Sequence, residues 1–198
     1  MSTLTGERIG PRNAVIFTDY HGRKVRQHWR VLVERATPEQ WQDAASWYPQ
    51  RAAGVVDALL SIRPEWSRAT ACGVLSAFSP RCTWTQNVER AIRYAETGDT
   101  PGLRDHVAAA DRCVIAGTYE GALTAPKTLE FARAIDGQSD AVVIDTWMMT
   151  AAMSDRDAPT MGQYRQMSGW VRREARRYGT DARTLQALVW ILVRGSAG

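Results

Sequence analysis

Lysine is almost missing from this chain. Only Lys24 and Lys127 occur in 198 residues, against 23 arginines among the 25 basic residues. The codon preference of a GC-rich genome accounts for that bias, and it makes a lysine at a particular position more informative. Cysteine is also scarce. Cys72, Cys82 and Cys113 are too few and too scattered for a disulfide framework or a zinc cage, which fits a reducing cytoplasm. His21, His28 and His106 form no ligand-spaced set, and there is no H-E-x-x-H or EF-hand pattern, so the residues argue against metal chemistry. No glycine loop of the phosphate-binding kind marks a nucleotide cofactor, and none is expected. No apolar run reaches about 18 residues, the length a membrane-crossing helix needs. The opening "MSTLTGERIGPRNAVIF" lacks the basic-then-apolar plan of a secretory signal.

What is present is ordinary globular material, 44% hydrophobic and 23% charged, enough for one domain or two small lobes. The formal net charge of +4 is compatible with nucleic acid but does not demand it. "YHGRKVRQHWR" (20–30) is basic and aromatic. It reads as a solvated surface first, and as an arm placing cations beside phosphates second.

Helix signals follow one another along the rest of the chain. Thr37, Pro38 and Gln40 form a capping box ahead of a helix that Pro49 ends or interrupts. Apolar stretches at helical spacing follow at 52–62, 65–79, 83–98, 102–117, 126–135, 146–153, 160–179 and 181–195, several closing on glycine. One piece, "AVVI" (141–144), could be extended. The expectation is an all-α protein of eight or nine short helices, with most of its eight tryptophans serving as core. The organisation expected is an N-terminal segment at 1–36, one lobe from 37–64 with 156–198, and a second lobe from 65–155.

Lys127 stands out within this pattern. If Thr124 caps the helix that follows, Lys127 lies in its first turn. There it faces the positive end of the dipole, at a cost of about 0.3–1 kcal/mol. Asp145, eighteen residues on, precedes "TWMMTAAM" and reads as an N-cap, where an acid is favoured and kept ionised. By spacing alone these are a surface lysine and a capping aspartate, unrelated to one another.

The surrounding motifs support a second reading. A helix ending in Gly117, a turn through "YEGALTA", a helix opening on Pro126-Lys127-Thr128, and then Ile144-Asp145-Thr146 resemble the helix-hairpin-helix DNA glycosylase superfamily, in particular its endonuclease III branch. "VLSAFSPRCTWTQNVERA" (74–91) is similar to a further segment of that family. The likeness spans roughly 66–155. Leu123 and Ala125 replace hairpin glycines, Phe78 stands at the intercalating glutamine, Trp147 replaces a common histidine, and the four-cysteine iron–sulfur loop is absent.

The resemblance implies a compact helical fold with two lobes flanking a cleft, acting as a monomer on double-stranded DNA with a flipped nucleotide, without cofactor or membrane. It implies excision of a damaged or modified base, with Asp145 stabilising oxocarbenium character and Lys127 attacking C1′ to form a Schiff base. Arginine cannot form that imine. Phe78, Arg81, Trp84, Asn87, Thr124, Thr128 and Trp147 become candidate DNA or base contacts. For Phe78 and Trp84 a core role is equally open, as is a helix-internal contact for Asn87. The location implied is cytoplasmic and nucleoid-associated, in a bacterium or phage. Modified-base metabolism on the same fold, and a non-catalytic DNA-binding module, remain the alternatives.

Overall fold

In a computed structural model, residues 16–195 are described. The opening segment read above for a secretory signal lies mostly outside them. The described chain is all-α: α1 Asp19–Glu34, α2 Pro38–Ser46, α3 Ala53–Ile62, α4 Arg68–Ala77, α5 Trp84–Thr97, α6 Arg104–Ala116, α7 Pro126–Ile135, α8 Thr146–Ala151, α9 Met161–Arg177 and α10 Ala182–Arg194, with a π-helical turn at Trp47–Ala52. That exceeds the expected number, because residues 20–30 are not a bare surface segment. They lie within α1, where His21, Gly22, Val25, Trp29 and Val33 form a buried seam. Pro49 does interrupt its helix: it sits inside the π-helical turn, where the lost N–H disturbs the ladder. No helix among the described residues is long and apolar enough to cross a membrane.

The chain divides into two compact units. The first unites Met1–Ala45 with Val142–Ala197, and the second is Ser46–Ala141. Residues 46–64 therefore fall in the second unit and 142–155 in the first, unlike the boundaries expected from sequence. The physical reason is packing: α3 lies on α4 and α5, whereas α8 packs on α1 and α10.

In the first unit, α1 also caps α8. The last carbonyls of a helix lack intrahelical partners. Here Trp29 Nε1 donates to Ala151 O at 2.9 Å and His21 Nε2 bonds Ala152 O at 2.8 Å. Phe17 stacks flat on His21, ring centroids 4.6 Å apart. α1 crosses α9 at a glycine, since a Cβ on Gly22 would lie 2.7 Å from Trp170 Cζ2. Glu174, buried on α9, takes a two-pronged bond from Arg30 at 2.6 and 2.8 Å, the arrangement that makes a buried carboxylate tolerable.

In the second unit α4 is the central helix, buried from Thr70 to Ala77 and packed against α6 and α7. Gly73 allows the approach of α6, because a Cβ there would meet Cys113 Sγ at 2.7 Å. Ser76 Oγ donates to the Thr128 carbonyl at 2.6 Å and ties α4 to α7. Between α6 and α7 the chain turns through left-handed Gly117 and Gly121. Tyr119, Ala122 and Leu123 are buried in that turn, and Arg112 Nε donates to the Ala122 carbonyl.

Candidate active site

Lys127 is the second residue of α7 and is half-buried. The helix is not capped by Thr124, contrary to the expectation. Thr124 is exposed, Ala125 is the N-cap and makes no side-chain bond, and Pro126 fills the first helical position. Proline has no N–H and a preset φ, so one of the donors a cap would satisfy is absent. Thr128, nearly buried, turns its hydroxyl back to the Ala125 carbonyl at 3.0 Å. That bond stabilises the helix start and is not directed to a ligand. Among the described residues the Lys127 amine has no ion pair or hydrogen bond.

The unit brings Lys127 near the segment that follows α4. Burial pushes the Cys82 thiol up, while the Arg90 guanidinium and the Lys127 ammonium act on it in the opposite direction. The Cys82 Sγ–H donates to the Phe78 carbonyl at 3.2 Å. Burial, with Arg90 beside it, holds His106 below the usual imidazole range, so the ring is neutral at pH 7. Ser79 Oγ, Asn87 Oδ1 and His106 Nδ1 are buried without a protein partner. Sequence reasoning did not connect Cys82 with Lys127, since their proximity is tertiary.

The predicted base contacts fare unevenly. Phe78 is wholly buried, packed on Tyr94 at 5.5 Å and against the His106 ring at 6.2 Å. It offers no wedge or stacking face, because α4 ends on it and its ring completes the core. Asn87 is also buried, on the inner face of α5. Trp84 is half-buried and lies on Trp47 at 5.1 Å. Arg81 is exposed and held at φ 55°, a conformation that non-glycine residues adopt at a cost and that clusters at functional positions.

Asp145 and Trp147 belong to the first unit. Asp145 is the N-cap of α8, and its Oδ1 accepts from Met148 N at 2.9 Å. Its Oδ2 accepts from Trp190 Nε1 at 3.1 Å. The extended segment leading to it is buried. Tyr164 Oη donates to Val142 O at 2.8 Å and receives the Ile144 N–H at 3.4 Å. Trp190 of α10 thus holds the carboxylate and Tyr164 of α9 holds the backbone leading to it, and sequence reasoning assigned neither. Trp147, two residues after Asp145, is 40% exposed. Among the described residues no group of three or more His, Cys, Asp or Glu side chains gathers where a metal ion could be held.

The chain belongs to a family of unknown function (DUF7178), which matches residues 16–197. No curated protein and no solved structure matches it. Within this family member the chemistry on offer is an amine without an ion pair at a helix start, a neutral imidazole and unpaired buried acceptors in the second unit. The first unit offers a carboxylate held by two donors.

Proposed function

We propose that this chain is a DNA N-glycosylase with an associated lyase activity, excising a damaged or modified base. The observation that carries the reading is Lys127. It sits at the second position of α7, directly after the α6–α7 hairpin turn, with no carboxylate paired to it among the described residues. The motif resemblance supports the same reading through the Lys127–Asp145 separation. In this scheme the Lys127 amine attacks C1′ of a flipped nucleotide through its nitrogen lone pair. A C–N bond forms, the glycosidic bond breaks, and the base leaves with the electron pair and takes up a proton. Opening of the sugar ring moves a proton from the nitrogen to O4′ and leaves an imine. Loss of a C2′ proton then expels the 3′ phosphate, and water releases the lysine. The motif resemblance assigns Asp145 as the carboxylate that stabilises oxocarbenium character in the first step.

A panel of duplexes carrying common lesions and phage-type modified bases tests this. The expected result is release of one base class, lost in Lys127→Arg, since a guanidinium stays protonated and forms no imine. Intact release by that variant would remove Lys127 from the chemistry.

A second reading, a DNA-binding module without catalysis, is favoured by one observation: both Asp145 oxygens already accept hydrogen bonds within the protein. Under that reading Asp145→Asn alters stability alone, and Lys127→Arg binds DNA as the wild type does.

A further inference from the structure

The basic stretch at 20–30 acquires a partner in the folded chain. α1 carries four basic and two acidic residues, and α9 carries five basic and one acidic. The two helices therefore hold a formal +6, more than the +4 of the entire chain. The rest of the protein is net acidic, so the basic character of the sequence is local.

The helices lie side by side in the first unit. Phe17 N donates to Gln166 Oε1 at 2.7 Å near their starts, and Arg30 bonds Glu174 further along. Arg23, Arg26 and Arg30 follow one stripe of α1 at helical spacing, and Arg173 and Arg177 lie one turn apart on α9. Arg26 sits over the Trp170 ring at 5.5 Å, and a Cβ added to Gly169 would lie 3.6 Å from Arg173 Nη1. Burial and the neighbouring Arg173, Arg30 and Arg23 hold the Arg26 guanidinium below its usual range, opposed by Glu174. Among the described residues Glu174 is the one carboxylate in salt-bridge contact with this group, and Arg30 occupies it. Arg23, Arg173 and Arg177 have no ion pair there.

Helix stability favours Arg177 in the last turn of α9 but does not ask for the cations of α1. α1 has no basic residue in its last turn, and Arg23 and Lys24 lie in its first half, nearer the positive end of the dipole. Cations that repel one another around a single occupied carboxylate are complementary to a polyanion.

We propose that the α1–α9 face is a sequence-independent binding surface for the phosphodiester backbone of duplex DNA, with Arg23, Arg173 and Arg177 as its principal phosphate contacts. It shares with the glycosylase reading only the identity of the polymer, because it requires no excision. The test uses the full chain and an undamaged random-sequence duplex, with binding followed by anisotropy as salt is raised. Each phosphate contact contributes about 0.9 to the slope of log K against log salt. Arg23→Gln with Arg173→Gln and Arg177→Gln should lower that slope by roughly 2–3. The corresponding triple lysine variant should keep it. An unchanged slope in the glutamine variant, or an equal loss in the lysine variant, overturns the proposal. So does tighter binding of an RNA duplex of the same sequence with the same arginine dependence. Thermal melts of each variant separate lost binding from lost folding, the three side chains being exposed.

Discussion

Replacing Asp145 by alanine removes two interactions of different kinds. The first is the N-cap bond to Met148 N at 2.9 Å, and loss of such a cap costs about 1 kcal/mol. The second is the acceptor for the Trp190 indole at 3.1 Å, whose loss costs a half-buried N–H this hydrogen bond, about 1–2 kcal/mol. Asp145→Ala should therefore lower stability by about 2–3 kcal/mol, a drop in Tm of roughly 4–12 °C for a chain of this size. Asparagine caps about as well as aspartate, but its single carbonyl oxygen cannot serve both donors. Asp145→Asn should accordingly cost only about 1 kcal/mol. Urea unfolding measures both as shifts of the midpoint at unchanged slope. Trp190→Phe adds a cycle in which the indole contribution disappears once Asp145 is alanine. The reasoning fails if Asp145→Ala lies within about 0.5 kcal/mol of wild type, or if the asparagine variant is as unstable as the alanine variant.

Three further outcomes follow from the packing and the buried phenols. Gly22→Ala places a methyl 2.7 Å from Trp170 Cζ2 and should destabilise by about 1–3 kcal/mol in the same urea assay. Phe78→Ala should cost about 3–5 kcal/mol, because the ring is core; a variant that folds normally and loses only DNA affinity would restore its role as a wedge. Burial, with bonds to Asp111 and Asp136, pushes the Tyr94 and Tyr119 hydroxyls above the ordinary tyrosine range. The fold therefore favours the protonated phenols. This stabilisation is complete below the unfolded value near ~10 and is lost as pH rises past it. The fall of stability above pH ~10 should be shallower in Asp111→Asn and Asp136→Asn, and an unchanged fall would count against the assignment.

The parts of the fold readable in the sequence are those set by short-range chemistry. The Thr37–Gln40 box closes in both directions, at 2.9 and 3.3 Å. Gly98 and Gly117 end α5 and α6 in the left-handed conformation, and α7 begins on its proline. Asp145 was recognisable as a cap for the same reason, its partner Met148 lying three residues away. α1 was not recognisable as a packed helix. Its seam includes a glycine and a histidine, buried because Trp170 needs the space over Gly22 and Ala152 needs a bond from His21. The acceptance of the Trp190 indole by Asp145 spans 45 residues, and no spacing rule reaches that far. Phe78 shows the converse error: a motif position suggested a ligand contact where Tyr94 and His106 had already enclosed the ring.

The central claim is that the Lys127 amine bonds covalently to a sugar carbon of DNA. Borohydride added during turnover on the modified-base duplex panel tests it most directly, because hydride converts the imine into a stable amine. A protein–DNA adduct should form with the wild type, map to Lys127, and vanish in Lys127→Gln. An adduct that persists in that variant, or base release with no adduct at any substrate, would contradict the assignment.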